Sequence, residues 1–464
     1  MDNLEPAYST PVLLLIAAAA VGLLLFLVMK VRLHAFIALV LISVLTAVAA
    51  GIPVADVPAA LLAGFGTTLG SVALLVGFGV MLGRLLEVTG GAQVLADSLI
   101  NRFGERRAPL ALGVAALLFG FPIFFDAGLV VFLPIILTVA RRFGGSVLFY
   151  ALPAAGAFAA MHAIVPPHPG PVAAGTALGA DIGVVLLIGL PVAVFSWYVG
   201  VYLVSRVLGR RYDVPVPALL FGEVNGSTDA DRPTVTPPTF GTVLGLLLVP
   251  LVLISFNTVL TTLVTSGTLA EGQTWVELLQ LLGNTPVALL VSLLVAIAVL
   301  GRRTGSLAHT TEVLDQSLGP ICSIILITGA GGMFGGVLRT SGIGDALTSS
   351  LSDLGLPLLL QAFLIATALR VAQGSATVAL TTTAGLIAGQ TGGLGNVELT
   401  LLVVAIAAGS TVLSHVNDSG FWLVSRFFGM DEKTTLKTWT VMETTLGVTA
   451  FAIAAVLWPV AGLL

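Results

Sequence analysis

The chain has 464 residues, of which 19 are Lys or Arg and 23 Asp or Glu, so 9% carry charge, where a soluble domain carries roughly 25%. So few charges cannot cover the surfaces of several soluble domains, which excludes a soluble globular enzyme; 57% hydrophobic content with 53 Gly and 23 Pro instead describes a polytopic helical membrane protein with kinked or broken helices. One cysteine, Cys322, excludes a disulfide framework or a cysteine-based metal cluster. The net charge of −4 without a basic stripe offers nothing to nucleic acid.

A helix needs about 20 mostly apolar residues to cross the hydrocarbon core. Stretches free of Asp, Glu, Lys and Arg predict ten spans, at 6–29, 33–55, 57–83, 143–180, 182–205, 233–270, 278–301, 316–338, 399–417 and 444–464. The start, MDNLEP, is acidic, so the first apolar run is expected to stay as a helix and not to be cleaved as a signal peptide. Two regions differ. Runs 108–125 and 127–140 flank Asp126, and runs 354–369 and 371–397 flank Arg370, with Gln373, Gly374, Ser375 and Thr377 beside it. Short paired runs with a polar, glycine-bearing joint fit re-entrant helical hairpins; two thin crossing helices at each place is the alternative.

The basic residues cluster at Lys30 and Arg32; Arg84, Arg102, Arg106 and Arg107; Arg141 and Arg142; Arg206, Arg210 and Arg211; Arg302 and Arg303; and Arg426, Lys433 and Lys437. All fall on the cytoplasmic side if the N-terminus lies outside and each hairpin returns to the side it entered from. The polar segment 212–238 then forms a cytoplasmic linker.

Residues about 252 positions apart repeat. Gly77, Gly79, Met81, Gly83, Leu86 and Gly90 match Gly329, Gly331, Met333, Gly335, Leu338 and Gly342, and Gly156 and His162 match Gly409 and His415. The assigned topology runs the two copies in opposite directions. The expected fold is therefore an all-α polytopic membrane protein of two inverted-topology repeats, each of about five transmembrane helices plus one re-entrant hairpin, with a broken helix in each half. The first repeat covers 1–211, with its hairpin at about 108–140 and broken helix at about 146–180. The second covers 239–464, with the hairpin at about 356–392 and broken helix at about 397–420. Glycine-rich helices also match one another through packing composition alone, but the histidine matches lie outside that pattern.

Ionisable groups at bilayer depth are costly and mark function by default. They gather in four segments: 121–128 around Asp126; 161–171 with His162, His168 and Pro166, Pro167, Pro169 and Pro171; 370–377; and 414–420 with Ser414, His415, Asn417, Asp418 and Ser419. The prolines must break their helix, and half-helix N-termini pointing into such a break favour an anion. Hydroxyls and amides of Gln373, Ser375, Thr377, Ser414, Asn417 and Ser419 suit a polyhydroxylated solute, so a hydroxylated organic acid fits both features; each also has a local structural use, bonding its own or a neighbouring helix. Asp126 and Asp418 are candidate proton carriers, with His162 and His415 as alternatives. His168 suits a place beside the prolines as well as one in a binding site. Arg370 is placed to hold a substrate carboxylate or to neutralise Asp126 or Asp418 as a buried pair. No cofactor is expected, and the absence of HExxH-like spacing speaks against a metal site. An intramembrane enzyme would need a nucleophile–base spacing that the sequence lacks.

At these segments the chain resembles the gluconate permease family, the gluconate:proton symporters of the ion transporter superfamily. The matching stretches are FFDAGLVVFLPI at 124–135, MHAIVPPHPGPVAAG at 161–175, GAGGMFGGVLRTSGIG at 329–344, RVAQGSATVA at 370–379 and SHVNDSGFWLVSRFFGM at 414–430. The resemblance implies proton-coupled uptake of gluconate or a related sugar acid across a bacterial inner membrane, without covalent chemistry. It implies a moving transport domain built from the hairpins and broken helices, working against a scaffold that dimerises. Members of the family also take ketogluconates, idonate, glycerate-like acids and D-serine, so the substrate stays open; an uncoupled facilitator with the same central site is the alternative class.

Overall fold

The computed structural model describes residues 7–121, 123–217, 237–265, 267–270, 272–301, 304, 306–344, 346, 350 and 356–462. Most of the expected linker at 212–238, and Arg302 and Arg303, lie outside the described residues. Every regular element among the described residues is helical.

In chain order, α1 (Thr10–Phe26) runs on through a π-helical segment, Leu27–Val31, to α2 (Ala35–Ala49) and the long α3 (Val57–Val88). After α4 (Gly91–Phe103) come α5 (Ala108–Gly120) and α6 (Phe125–Phe143), then α7 (Leu148–Ile164) and α8 (Pro169–Leu178). A continuous rod follows, from α9 (Ile182–Ser196) through π-helical Trp197–Leu203 to α10 (Val204–Arg211). The second part has α11 (Phe240–Thr265), α12 (Thr274–Gly283), α13 (Thr285–Leu300), α14 (Leu307–Gln316) and α15 (Cys322–Thr340). It closes with α16 (Leu358–Gln373), α17 (Ala376–Ile387), α18 (Asn396–Thr411), α19 (Ser419–Phe427) and α20 (Glu432–Ala461).

Local chemistry sets these boundaries. Proline stands in the first turn of α3, α5, α8 and α13, where its missing N–H has no helical partner to lose. Asp181, Ser306, Ser375, Asp418 and Asp431 cap the helices that follow them by accepting backbone N–H groups. Gly374 ends α16 in the left-handed region at φ +74°, and a side chain there would meet the Asn417 carbonyl.

Among the described residues, six helical stretches are long and apolar enough to cross a membrane: Thr10–Val31, Val57–Val88, Leu148–Leu178, Ile182–Arg211, Phe240–Val264 and Glu432–Ala461. A seventh forms if α12 and α13 count together across their 68° bend. The remaining predicted spans are shorter as helices. Of 33–55 only the 15 residues of α2 are helical, about 22 Å at 1.5 Å per residue. The stretch 399–417 stops being helical at Thr411 and resumes at Ser419. Freedom from charge counts loop residues as well as helix, so it overstates span length. The final span errs in the other direction: α20 begins at Glu432 and carries Glu443 within it, whereas a rule that stops at charge starts the helix at 444.

Small residues permit the closest contacts. Helices α3 and α15, which carry the matches Gly77 to Leu86 and Gly329 to Leu338, pack along each other; a Cβ on Gly64 would lie 2.8 Å from the Gly332 carbonyl oxygen, and one on Gly336 equally near the Gly64 Cα. With lipid as apolar as the side chains, such backbone proximity is what holds helices together. Helices α7 and α18 are buried along almost their full length. Helix α5 packs on α7 and, correspondingly, α16 on α18.

Candidate functional site

A cavity of about 500 Å³ lies where α6, α8, α17 and α19 begin, within the usual size range for small-molecule sites. Each helix contributes its first residues to the lining: Phe125 and Asp126, Pro169, Ser375 and Ala376, and Ser419 and Gly420. Two of these starts follow the turns of helix pairs and two follow helix interruptions. The Pro166–Pro167 peptide bond, within the interruption between α7 and α8, is cis. The aligned peptide dipoles make each start a partial positive charge, with Gly170 supplying the one N–H in the first three residues of α8 because Pro169 and Pro171 have none, so four starts at one space favour an anion.

Among the described residues the ionisable lining consists of Asp126, His162, Arg370, Asp418 and Glu443. Arg370 and Asp418 form an ion pair through Nη2 and Oδ2, with side chains only 5% and 8% exposed. The Ser414 hydroxyl also donates to Oδ2, and the Gly420 N–H donates to Oδ1 at 3.0 Å. Arg370 Nη1 donates to the Gly374 carbonyl at 2.6 Å. The guanidinium therefore neutralises Asp418, and the helix cap and the turn after α16 are tied to the same pair. Asp126 accepts no hydrogen bond or ion pair from any described residue.

Not all the sequence-predicted residues reach the cavity. Asp126, His162, Arg370, Ser375, Thr377, Asp418 and Ser419 line it; His168, Gln373, His415 and Asn417 do not. His168 is fully buried, and its Nε2–H donates to the Gly120 carbonyl at 2.9 Å, tying the end of α5 to the start of α8. His415 Nε2–H donates to Val371 O at 3.0 Å, and Asn417 Nδ2 to Val371 O at 2.7 Å and Ala372 O at 3.2 Å. These two side chains satisfy the carbonyls that α16 leaves open at its end. Gln373 is buried against Gly335 and Gly344. His162 meets Thr377 Oγ1 at 3.4 Å across the cavity wall and packs near Phe124 and His168.

Outside the four polar segments the wall also includes Asn284, Thr285, Trp439 and Glu443. Trp439 donates from Nε1 to the Ser414 hydroxyl at 2.8 Å and lies tilted by 37° against Phe125 with ring centroids 5.5 Å apart. Glu443, one turn further along α20, is 3% exposed and lines the cavity. The signal that could have found it is its place in a long helical pattern: continuing the 3.6-residue period of 446, 450 and 454 back through 442 and 439 puts the helix start well before 443.

A model of the GntP family permeases matches residues 12–460. The inner membrane permease YgbN of Escherichia coli K12 is 41% identical over 459 residues, covering 97% of this chain and 100% of that protein. The low-affinity gluconate transporter of the same organism is 36% identical, covering 95% of this chain and 96% of its own. Among solved structures, the Alcanivorax borkumensis YdaH transporter aligns over 96% of this chain and 99% of its own at 13% identity, with a TM-score of 0.38. With the family match spanning every helix that builds the cavity, the chain belongs to the GntP family of permeases and is a multi-pass membrane transport protein, not an enzyme.

Proposed function

We propose that the protein is a secondary active transporter that brings gluconate or a related sugar acid into the cell together with a proton, by alternating access. The reading places it in a bacterial inner membrane with its N-terminus outside, as two inverted repeats joined by a cytoplasmic linker. The observation that carries it is the convergence of four helix starts on one cavity whose only guanidinium among the described residues is already paired with Asp418. An anion entering there is held by the helix starts, while the hydroxyls of Ser375, Thr377 and Ser419 suit a hydroxylated chain. The name of the gluconate-transporting relative supports the same substrate class.

Asp126 supplies the reason for a proton. Its carboxylate has no cation of its own, so a substrate anion beside it meets like charge in a confined, poorly hydrated space. A proton on Asp126 removes that repulsion, and the proton and the anion then stabilise each other's binding by the same factor. Asp418, by contrast, is already engaged by Arg370, Ser414 and the Gly420 N–H.

The test is uptake of labelled gluconate into proteoliposomes. An inward proton gradient is expected to drive accumulation above equilibrium, and collapsing it is expected to abolish accumulation. Equal equilibration with and without the gradient would replace symport by facilitated diffusion. Failure to move gluconate while another hydroxy acid accumulates would correct the substrate alone.

A further inference from the structure

Resting on the symport reading, we infer that Glu443 of α20 is a second proton-carrying group of the cavity, so that two protons accompany each sugar-acid anion.

The position of Glu443 is built, not incidental. The face of α20 that carries it is fastened to the interruption before α19 by three side chains: Trp439 Nε1 donates to Ser414 Oγ, the Thr440 hydroxyl donates to Ser414 O at 2.5 Å, and Thr444 Oγ1 accepts from the Leu413 N–H at 3.2 Å. Residues 439, 440, 443 and 444 lie on one side of a helix at 3.6 residues per turn, so these contacts set the Glu443 carboxyl against the cavity. There it is 97% shielded, and no described donor reaches its Oε1.

The charge inventory decides its role. Arg370 and Asp418 are the charged groups that act on Glu443 directly, and Asp126 and His162 share the cavity with it. The other titratable residues on the segments packed on α20 stand elsewhere along them: Tyr150 near the start of α7, Glu398 in the first turn of α18, Arg426 in the last turn of α19, Arg206, Arg210 and Arg211 in α10, Tyr198 and Tyr202 in Trp197–Leu203, Asp181 capping α9, and Lys30 in Leu27–Val31. Three carboxyl groups thus face one guanidinium, which is committed to Asp418. A monoanionic substrate adds another negative charge. Protonating Asp126 alone still leaves the Glu443 charge beside the substrate. Protonating both leaves the ion pair, neutral overall, and one anion facing four helix starts. After substrate release into an open, hydrated cavity the two protons can leave.

The decisive measurement is the apparent dissociation constant of gluconate for the full-length protein in detergent, followed by calorimetry across pH. Each proton taken up with the anion weakens apparent affinity about tenfold per pH unit once the carrier deprotonates. The wild type is expected to approach about 100-fold per unit, and Glu443→Gln about tenfold, with proteoliposomes carrying this variant moving one proton fewer per gluconate. A wild type whose affinity is independent of pH and whose uptake ignores the proton gradient would overturn the symport reading itself, and this inference with it. A wild type that is coupled, with Glu443→Gln showing the same slope and the same proton-to-gluconate ratio, would overturn the role of Glu443 alone. If Glu443→Gln does not fold, Glu443→Asp keeps a titratable group on a shorter arm. It is then expected to shift the pH midpoint of gluconate binding, and an unshifted midpoint would overturn the inference.

Discussion

The Arg370–Asp418 pair offers the sharpest physical test, because stability and transport make different demands on it. Both side chains are almost wholly removed from water. Arg370→Met strands the Asp418 carboxylate with only the Ser414 hydroxyl and the Gly420 N–H. Asp418→Asn keeps an oxygen to cap α19 but strands the guanidinium with only the Gly374 carbonyl. Breaking a buried pair from one side costs about 3–5 kcal/mol, whereas replacing both charges by neutral groups is often close to neutral. In the double variant the main residual loss is the hydrogen bond to Gly374, about 1 kcal/mol. On these figures the two substitutions should couple by about 5–9 kcal/mol. Thermal unfolding of the four purified proteins in one detergent reads this directly: the double variant is expected to melt above either single variant, although none of the three transports. A double variant that melts lower than both, by the sum of their separate losses, would show that the pair is not an isolated buried charge couple.

Asp126→Asn is expected to abolish gradient-driven accumulation in proteoliposomes while gluconate counterflow persists; accumulation at the wild-type level would remove Asp126 from the coupling. Gly374→Ala forces a side chain into left-handed backbone and against Asn417, so a loss of at least about 1–2 kcal/mol is expected, seen as a lower unfolding midpoint and contradicted by an unchanged one. His168→Ala leaves the Gly120 carbonyl without its donor and should cost about 1–3 kcal/mol, with the gluconate dissociation constant of the folded fraction unchanged; a weakened constant would return His168 to the binding site. Asn417→Ala removes two donors from α16 and is expected to lower the unfolding midpoint more than Thr377→Val, which loses only the 3.4 Å contact with His162; the reverse order would refute this assignment of strong and weak contacts.

The membrane class and the polar centre were legible in the sequence because exclusion of charge from lipid is a strong, position-specific constraint. Asp126, Arg370 and Asp418 stand out as charges within apolar surroundings, and all three line the cavity. Partners were harder to read than locations. The sequence allows Arg370 to pair with Asp126 or Asp418; the choice depends on the turn at Gly374, which brings the end of α16 against residue 417. His415 and Asn417 have the right chemistry for a ligand, yet they are spent on open carbonyls at a helix end, a need that appears only once the break is seen. Glu443 escaped for the opposite reason: a rule that excludes charge from spans discards a carboxylate buried in one.

The hydrogen bonds around the cavity are unevenly shared, and that bears on how such a site can open. Between the end of α16 and the break before α19, both in the second part of the chain, four side-chain bonds are made, from Arg370, His415 and Asn417. From this unit to the first part of the chain, the described cavity wall has a single side-chain bond, His162 to Thr377, beside apolar contact of α17 on α8 at Gly170, Thr377 and Leu380. Polar bonds resist displacement because each must be re-made or left unsatisfied at a cost of about 1–3 kcal/mol, whereas apolar surfaces can slide with little change in contact area. The helix end and its neighbouring break are therefore tied together, and at the cavity the weaker seam runs between this unit and α7 and α8 of the first part. Under the proposed symport, motion along that seam would change access to Asp126 and leave the Arg370–Asp418 pair whole, so the proposed proton carrier and the pair that holds the frame lie on different elements.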